Sequence, residues 1–99
     1  MTIDKKQDNG KIILTMDGRL DTTTAPKLQE VLIPVFDDAK EVVLDFANLA
    51  YISSAGLRVL LMGEKTAKAK DAKMIIKNVS EEIMDVFEMT GFSDMLEIV

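Results

Sequence analysis

The alternation of short apolar segments with longer segments of helical periodicity is the feature that most constrains how this chain can fold. The apolar segments lie at 11–16, 42–44, 74–76 and 95–99, and stretches with apolar residues at helical spacing lie between them. A parallel strand pair needs a long return connection, which is usually a helix. The pattern therefore predicts an α/β fold, with a mixed sheet of four to five strands and three main helices in the order β-β-α-β-α-β-α-β.

The first two strands are predicted to form a hairpin. A polar strand opens at Ile3 and ends near Gln7, and Asn9-Gly10 follows shortly before the segment 11–16. Both turn residues tolerate the positive φ that a two-residue hairpin loop requires. Beyond the second strand, the segment 18–21 is expected to leave the sheet.

The first helix is predicted from its caps and its apolar stripe. The threonines at 22–24 offer N-caps, and Pro26 suits the first helical turn. Pro34 cannot donate a hydrogen bond to the carbonyl of Glu30, so the helix is expected to kink there or to end near Ile33.

Serines begin the other two helices. The segment 45–52 is predicted to be a loop, with an extended segment at its end as the alternative. Ser53 and Ser54 then cap a helix that begins apolar and becomes polar. Ser80 is expected to cap the third helix, which has acidic residues in its first turn and Gly91 at its C-terminal end.

The residue types that are missing exclude several kinds of chemistry. The chain has no His and no Cys, so the usual Ser-His and Cys-His nucleophile pairs and ordinary zinc, haem and iron–sulfur sites are excluded. Asp37-Asp38 lacks the spacing of a calcium-binding loop. We therefore expect no catalytic residues, no metal ligands and no cofactor.

Length and charge set further expectations. With 99 residues, the chain is predicted to be a single domain, residues 1–99. Its formal net charge of −5 argues against nucleic-acid binding, which requires a basic patch. No apolar run approaches the about 18–20 residues of a membrane span, and the first residues lack the apolar core of a signal peptide. We expect a cytoplasmic protein with neither nucleic acid nor membrane as a partner.

The segment Ser53-Ser54-Ala55-Gly56-Leu57 is the clearest candidate site. A short loop delivers two hydroxyl groups to a helix N-terminus, where free N–H groups and the helix dipole favour negative charge. One serine can serve simply as the N-cap, and the local sequence does not choose between that role and a functional one. The apolar residues all round the next two turns indicate either burial on several sides or an interface.

Four short segments of the chain carry a family resemblance. They are Gly18-Arg19-Leu20-Asp21 with Ala25-Pro26, Val42-Val43-Leu44-Asp45-Phe46, Tyr51-Ile52-Ser53-Ser54-Ala55-Gly56-Leu57 and Thr90-Gly91-Phe92. Together they span almost the whole chain and resemble a STAS domain, the family of sulfate-transporter tails and anti-sigma factor antagonists. The central segment is the most specific, and the resemblance implies a STAS-like mixed sheet.

The resemblance implies a switch rather than an enzyme. In the antagonist branch of the family, the phosphorylated serine lies two residues before the motif glycine, which corresponds to Ser54 here. Many members carry Asp immediately before that serine, whereas this chain has Ser53, so a second hydroxyl lies beside the target. Ser54 is the expected phosphorylation site, with Ser53 as the alternative.

The same resemblance implies partners. The unmodified protein is expected to bind an anti-sigma factor that is also an ATP-dependent serine kinase, which frees the sigma factor. Phosphorylation at Ser54 then breaks the complex, and a serine phosphatase restores it. A STAS scaffold, or a small-ligand or nucleotide-sensing subunit of another complex, is the alternative function.

A partner surface is predicted beside the serines, because the strand-to-helix loops of an α/β sheet gather at one edge. Gly56 is expected to let a partner's backbone or a nucleotide approach closely, and Arg58 is expected to point outward. Asp21 either caps the first helix or lies near the serines. Besides Ser54, the residues expected to bind the partner are Asp21, Thr22, Ser53, Gly56, Leu57 and Arg58.

Overall fold

Five strands and three α-helices follow one another in the order that the sequence predicts. The computed structural model describes residues 1–99. A short 3₁₀ helix at Phe92–Asp94 precedes the last strand. The elements are β1 (Thr2–Asp8), β2 (Lys11–Leu20), α1 (Ala25–Val35), β3 (Glu41–Ile52), α2 (Ser54–Ala69), β4 (Lys73–Lys77), α3 (Glu81–Thr90) and β5 (Glu97–Ile98).

The strands form one mixed sheet, as predicted. Its order is β1-β2-β3-β4-β5, with β1 antiparallel to β2 and every other neighbouring pair parallel. The hairpin turn between β1 and β2 is confirmed, because Asn9 and Gly10 adopt φ angles of 50° and 81°. This turn fixes the register that pairs β1 with β2 from Thr2 to Asp8.

All three helices pack on one face of the sheet. Leu14, Leu44 and Ile76 lie side by side on β2, β3 and β4, and they are fully buried in the same core cluster as the buried residues of α1, α2 and α3. The preceding residues Ile13 and Val43 point to the opposite face and lie outside that cluster. Successive right-handed crossovers in one direction along a sheet place their helices on one side, which explains this arrangement.

Both ends of α3 agree with the sequence patterns. The hydroxyl of Ser80 accepts a hydrogen bond from Ile83 N–H over 3.2 Å at the start of α3. Gly91 ends α3 in the left-handed conformation, at φ 83°.

None of the helices combines the length and the apolar character that crossing a membrane requires.

β2 and β3 are longer than predicted, and their extensions position the site. The predicted departure from the sheet at 18–21 is wrong, because β2 continues to Leu20. The predicted loop at 45–52 is wrong except for its extended end, because β3 continues to Ile52. The two extensions pair with each other, although the register shifts twice along the way. On β3, the buried residues beyond Phe46 are Leu49 and Ile52, at intervals of three, so the alternation of apolar and polar residues that marks a strand is lost there.

Two other boundaries differ from the predictions. α1 continues to Val35 instead of ending near Ile33, because Pro34 lies in the last turn and costs the helix only one internal hydrogen bond. The strand predicted at 95–99 is reduced to the two residues of β5, because the 3₁₀ helix at Phe92–Asp94 takes up the preceding chain.

Candidate functional site

The candidate site lies where β2 and β3 end and where α1 and α2 begin. The two strands are parallel, so both helix N-termini meet at one edge of the sheet. The N–H of Ser53 donates to the carbonyl of Leu20 over 2.9 Å and ties the start of α2 to the end of β2. The chain segments that follow Leu20 and Ser53 therefore start side by side.

The two serines have different positions in α2. Ser53 is the N-cap, with extended backbone at φ −102° and ψ 175°, and its Oγ accepts a hydrogen bond from Gly56 N–H at 3.4 Å. Ser54 is the first helical residue, its side chain is exposed, and its Oγ makes no hydrogen bond within the chain. The capping role that the sequence left open therefore falls to Ser53, and the Ser54 hydroxyl is free.

Gly56 and Leu57 are buried, so the expectation that they lie on an exposed surface is wrong. A Cβ at Gly56 would lie 2.7 Å from Leu20 Cγ and 3.0 Å from Ile52 Cγ1. The missing side chain lets α2 approach the strand ends, and it does not open the helix to a partner's backbone or to a nucleotide. Leu57 packs in the core beneath α2.

Arg58 is exposed one turn after Ser54, as predicted. It forms no ion pair with any carboxylate of the chain. Arg58 and the exposed Thr22 line a shallow cavity of about 200 Å³ between α1 and α2. The other residues that line this cavity are Ala25, Pro26, Gln29, Ala55, Val59 and Met62.

Asp21 organises the turn that leads into α1. Its Oδ1 accepts hydrogen bonds from the Thr23 hydroxyl at 2.8 Å and from the N–H groups of Thr23 and Thr24 at 3.0 and 3.2 Å. The Thr23 hydroxyl lowers the pKa of Asp21 most; partial desolvation opposes it, and the backbone N–H groups add to the lowering. Thr24 is the N-cap residue but its side chain makes no capping bond, so Asp21 takes the role predicted for a threonine.

Arg19 and Tyr51 form a pair at this edge that the sequence did not reveal. The Arg19 guanidinium lies 4.1 Å from the centre of the Tyr51 ring, and its Nε lies 4.0 Å from Asp21 Oδ2. The two residues are partners in the β2–β3 register. Only the pairing of the two strand extensions brings them together, and the sequence predicts no such pairing.

The polar groups at this edge differ in how far the chain already engages them. The Asp21 carboxylate is held by hydrogen bonds of its own turn. Ser54 presents a free hydroxyl, and the exposed guanidinium groups of Arg19 and Arg58 lie at the same edge.

Solved structures of the anti-sigma factor antagonist SpoIIAA share this fold. The unphosphorylated form matches with a TM-score of 0.79 at 14% identity, over 99% of this chain and 87% of that one. The phosphorylated form from Bacillus matches with a TM-score of 0.78 at 15% identity, over 99% of this chain and 91% of that one.

Sequence comparison identifies the family. A family model described as STAS domain matches residues 2–99. The anti-sigma-B factor antagonist of Listeria monocytogenes is 31% identical over 95% of this chain and 83% of its own length. The protein of the same name from Bacillus subtilis is 28% identical over 99% of this chain and 90% of its own length. Because the family model and both relatives align with nearly all of its residues, this chain belongs to the STAS domain family.

Proposed function

We propose that this chain is a cytoplasmic, single-domain anti-sigma factor antagonist that acts as a substrate and switch and not as an enzyme. Its unmodified form binds an anti-sigma factor that is also an ATP-dependent serine kinase, and this binding frees the sigma factor. The free, exposed hydroxyl of Ser54 carries the proposal, because the neighbouring Ser53 hydroxyl is already used as the N-cap. The names of the curated relatives support the same role.

Phosphorylation of Ser54 turns binding off. The Ser54 Oγ attacks the γ-phosphorus of ATP, an Oγ–P bond forms as the bond from that phosphorus to the β–γ bridging oxygen breaks, and ADP leaves. A base of the kinase accepts the hydroxyl proton. A serine phosphatase hydrolyses the phosphoester and restores the binding form. The solved phosphorylated and unphosphorylated forms of SpoIIAA, which shares the fold, support a switch of this kind.

The isolated chain tolerates the phosphate better than the complex does. A phosphoserine carries about −1.5 to −2 charges at pH 7. At the first residue of α2, free N–H groups and the helix dipole stabilise that charge. In the complex, the same group is pressed against a partner surface shaped for a hydroxyl, near an anionic nucleotide. A loss of about 3–4 kcal/mol weakens binding several hundredfold.

The partner surface surrounds the N-termini of α1 and α2. Thr22, Ser54 and Arg58 are exposed there, and Asp21 is half-buried beside them. These side chains contact the kinase directly. The motif residues that hold α2 in place beneath this surface are Ser53, Gly56 and Leu57.

The shape of the site favours a protein partner over the alternative of a small-ligand or nucleotide-sensing subunit. The cavity beside Arg58 has a volume of about 200 Å³. Small-molecule sites usually enclose about 300–1,000 Å³. A shallow depression that is flanked by exposed polar side chains suits contact with another protein surface better than enclosure of a nucleotide.

Phosphate mapping tests the proposal. Kinase isolated from source cells on the immobilised, unmodified chain is incubated with ATP and each variant, and intact mass is measured. Wild type and Ser53→Ala are expected to gain one phosphate, and Ser54→Ala none. Ser53→Ala is the matched control, because it loses the N-cap at a cost of about 1 kcal/mol and keeps the target hydroxyl. Phosphate on Ser54→Ala with none on Ser53→Ala would assign the modification to Ser53 instead.

A further inference from the structure

Ser54 and Arg58 lie on the same exposed stripe of α2, one helical turn apart. Side chains at this i, i+4 spacing are neighbours, with Cβ atoms about 5–6 Å apart. Neither side chain is engaged: Ser54 Oγ has no hydrogen bond within the chain, and Arg58 has no ion pair. Of the three residues between them, Gly56 and Leu57 are buried and Ala55 is half-buried with a side chain of a single methyl group, so the stripe is clear.

The other guanidinium group at this edge is already engaged. Arg19 stacks on the Tyr51 ring at 4.1 Å and lies 4.0 Å from Asp21. A phosphoryl group on Ser54 would have to compete with both contacts to recruit Arg19. Arg58 gives up no ion pair within the chain, so it is the guanidinium group at this edge that is free to respond.

We infer that Arg58 is the internal counter-ion of a phosphoryl group on Ser54, which takes Arg58 away from the partner surface. This inference rests on the proposed phosphorylation of Ser54. The acidic group lies four residues N-terminal to the basic one, which is the favourable orientation on a helix. A guanidinium can donate two parallel hydrogen bonds to phosphate oxygens, which makes the pair stronger than one with a lysine ammonium.

The pairing gives the switch a second component beside charge repulsion. In the unmodified chain, Arg58 is available to the kinase. In the phosphorylated chain, the same side chain is held by the phosphate, so the complex loses a cation at the moment that it gains an anion. Arg58 is therefore a positioning residue of the switch, and it takes no part in the transfer of the phosphoryl group.

The test installs phosphoserine at position 54 through an expanded genetic code, so no kinase is needed. At low salt, phosphoserine is expected to raise the melting temperature by about 4 °C over serine. At least half of that rise should vanish in Arg58→Gln, whereas the full rise should persist in Lys65→Gln. Lys65 is the control because it is an exposed cation of α2 that lies 11 residues from Ser54. Each comparison is made within one variant background, so any general stability change of the variant cancels.

A spectroscopic measurement makes the same test without unfolding the protein. The side-chain Nε–H resonance of Arg58 should move when Ser54 carries phosphate, whereas that of Arg19 should stay in place. A melting-temperature rise that is undiminished in Arg58→Gln, or an Arg58 resonance that does not move, overturns the inference. If the pair does not form but phosphorylation of Ser54 still abolishes kinase binding, the inference fails and the proposed function stands. If the pair forms but the unmodified chain does not bind the kinase, the proposed function alone is overturned.

Discussion

Gly56→Ala probes the close approach of α2 to the ends of β2 and β3. The new Cβ would lie 2.7 Å from Leu20 Cγ and 3.0 Å from Ile52 Cγ1. Leu20 is fully buried, and its branch-point carbon cannot move aside unless the whole side chain moves. We therefore expect the start of α2 to be pushed away from the sheet, with a loss of stability.

Two opposing effects set the size of that loss. Replacing glycine by alanine within a helix stabilises the helix by about 1 kcal/mol. Overpacking a filled core costs about 1–3 kcal/mol, and a clash with a branch-point carbon and a second strand belongs at the upper end. The net prediction is a loss of about 1–2 kcal/mol, or about 5–10 °C in melting temperature.

Gly63→Ala is the matched control. Gly63 is also buried in α2, but a Cβ there would meet Leu32 Cδ2 at 2.7 Å and Met74 Sδ at 2.9 Å. A terminal methyl group and a flexible thioether can move aside, so the gain and the cost should nearly cancel, within about 1 kcal/mol. Urea unfolding followed by circular dichroism gives both values. A Gly56→Ala protein as stable as wild type, or a larger loss for Gly63→Ala, would refute the packing argument.

Three further outcomes concern caps and titrating groups. Ser80→Ala removes the cap of α3 and should cost about 1 kcal/mol in urea unfolding, whereas Ser54→Ala breaks no hydrogen bond and should cost less than about 0.5 kcal/mol. The Thr23 hydroxyl keeps the pKa of Asp21 below its ordinary value. The ionised Asp21 therefore stabilises the fold fully at any pH above the ordinary pKa, and this stabilisation is lost as the pH falls through the lowered pKa of the folded state. In thermal unfolding, Asp21→Asn should therefore destabilise the protein at neutral pH and lose this effect in strong acid. Burial raises the pKa of Glu64, so the ionised carboxylate opposes folding and Glu64→Gln should raise the melting temperature at neutral pH.

The sequence patterns predict the elements in which the conformation favoured by neighbouring residues is also the one that the folded chain adopts. The turn at Asn9-Gly10 and the cap at Ser80 were predictable because each depends on residues next to it in the chain. The strand extensions were not predictable, because bulges shift the register between β2 and β3. On β3, buried Phe46, Leu49 and Ile52 are three residues apart, which departs from the strict alternation of a strand.

The sequence predicts where in the chain the candidate site lies, but not which of its residues are buried. The exposure of Ser54 and Arg58 follows from their i, i+4 spacing on one face of α2. The prediction for Gly56 is wrong. A glycine in a functional motif can let either a ligand or a neighbouring backbone approach, and only the position of the neighbouring strand ends decides between the two. Arg19 with Tyr51 needed the register of strands that the sequence did not reveal.

The most direct test of the phosphorylation switch is the affinity of the kinase for the two forms of the chain. The kinase, loaded with ADP, is titrated by calorimetry with the unmodified protein and with protein that mass spectrometry shows to carry phosphate on Ser54. The phosphorylated form is expected to bind several hundredfold more weakly, a loss of about 3–4 kcal/mol of binding free energy, while its circular dichroism spectrum is unchanged. Equal affinity of the two folded forms would contradict it.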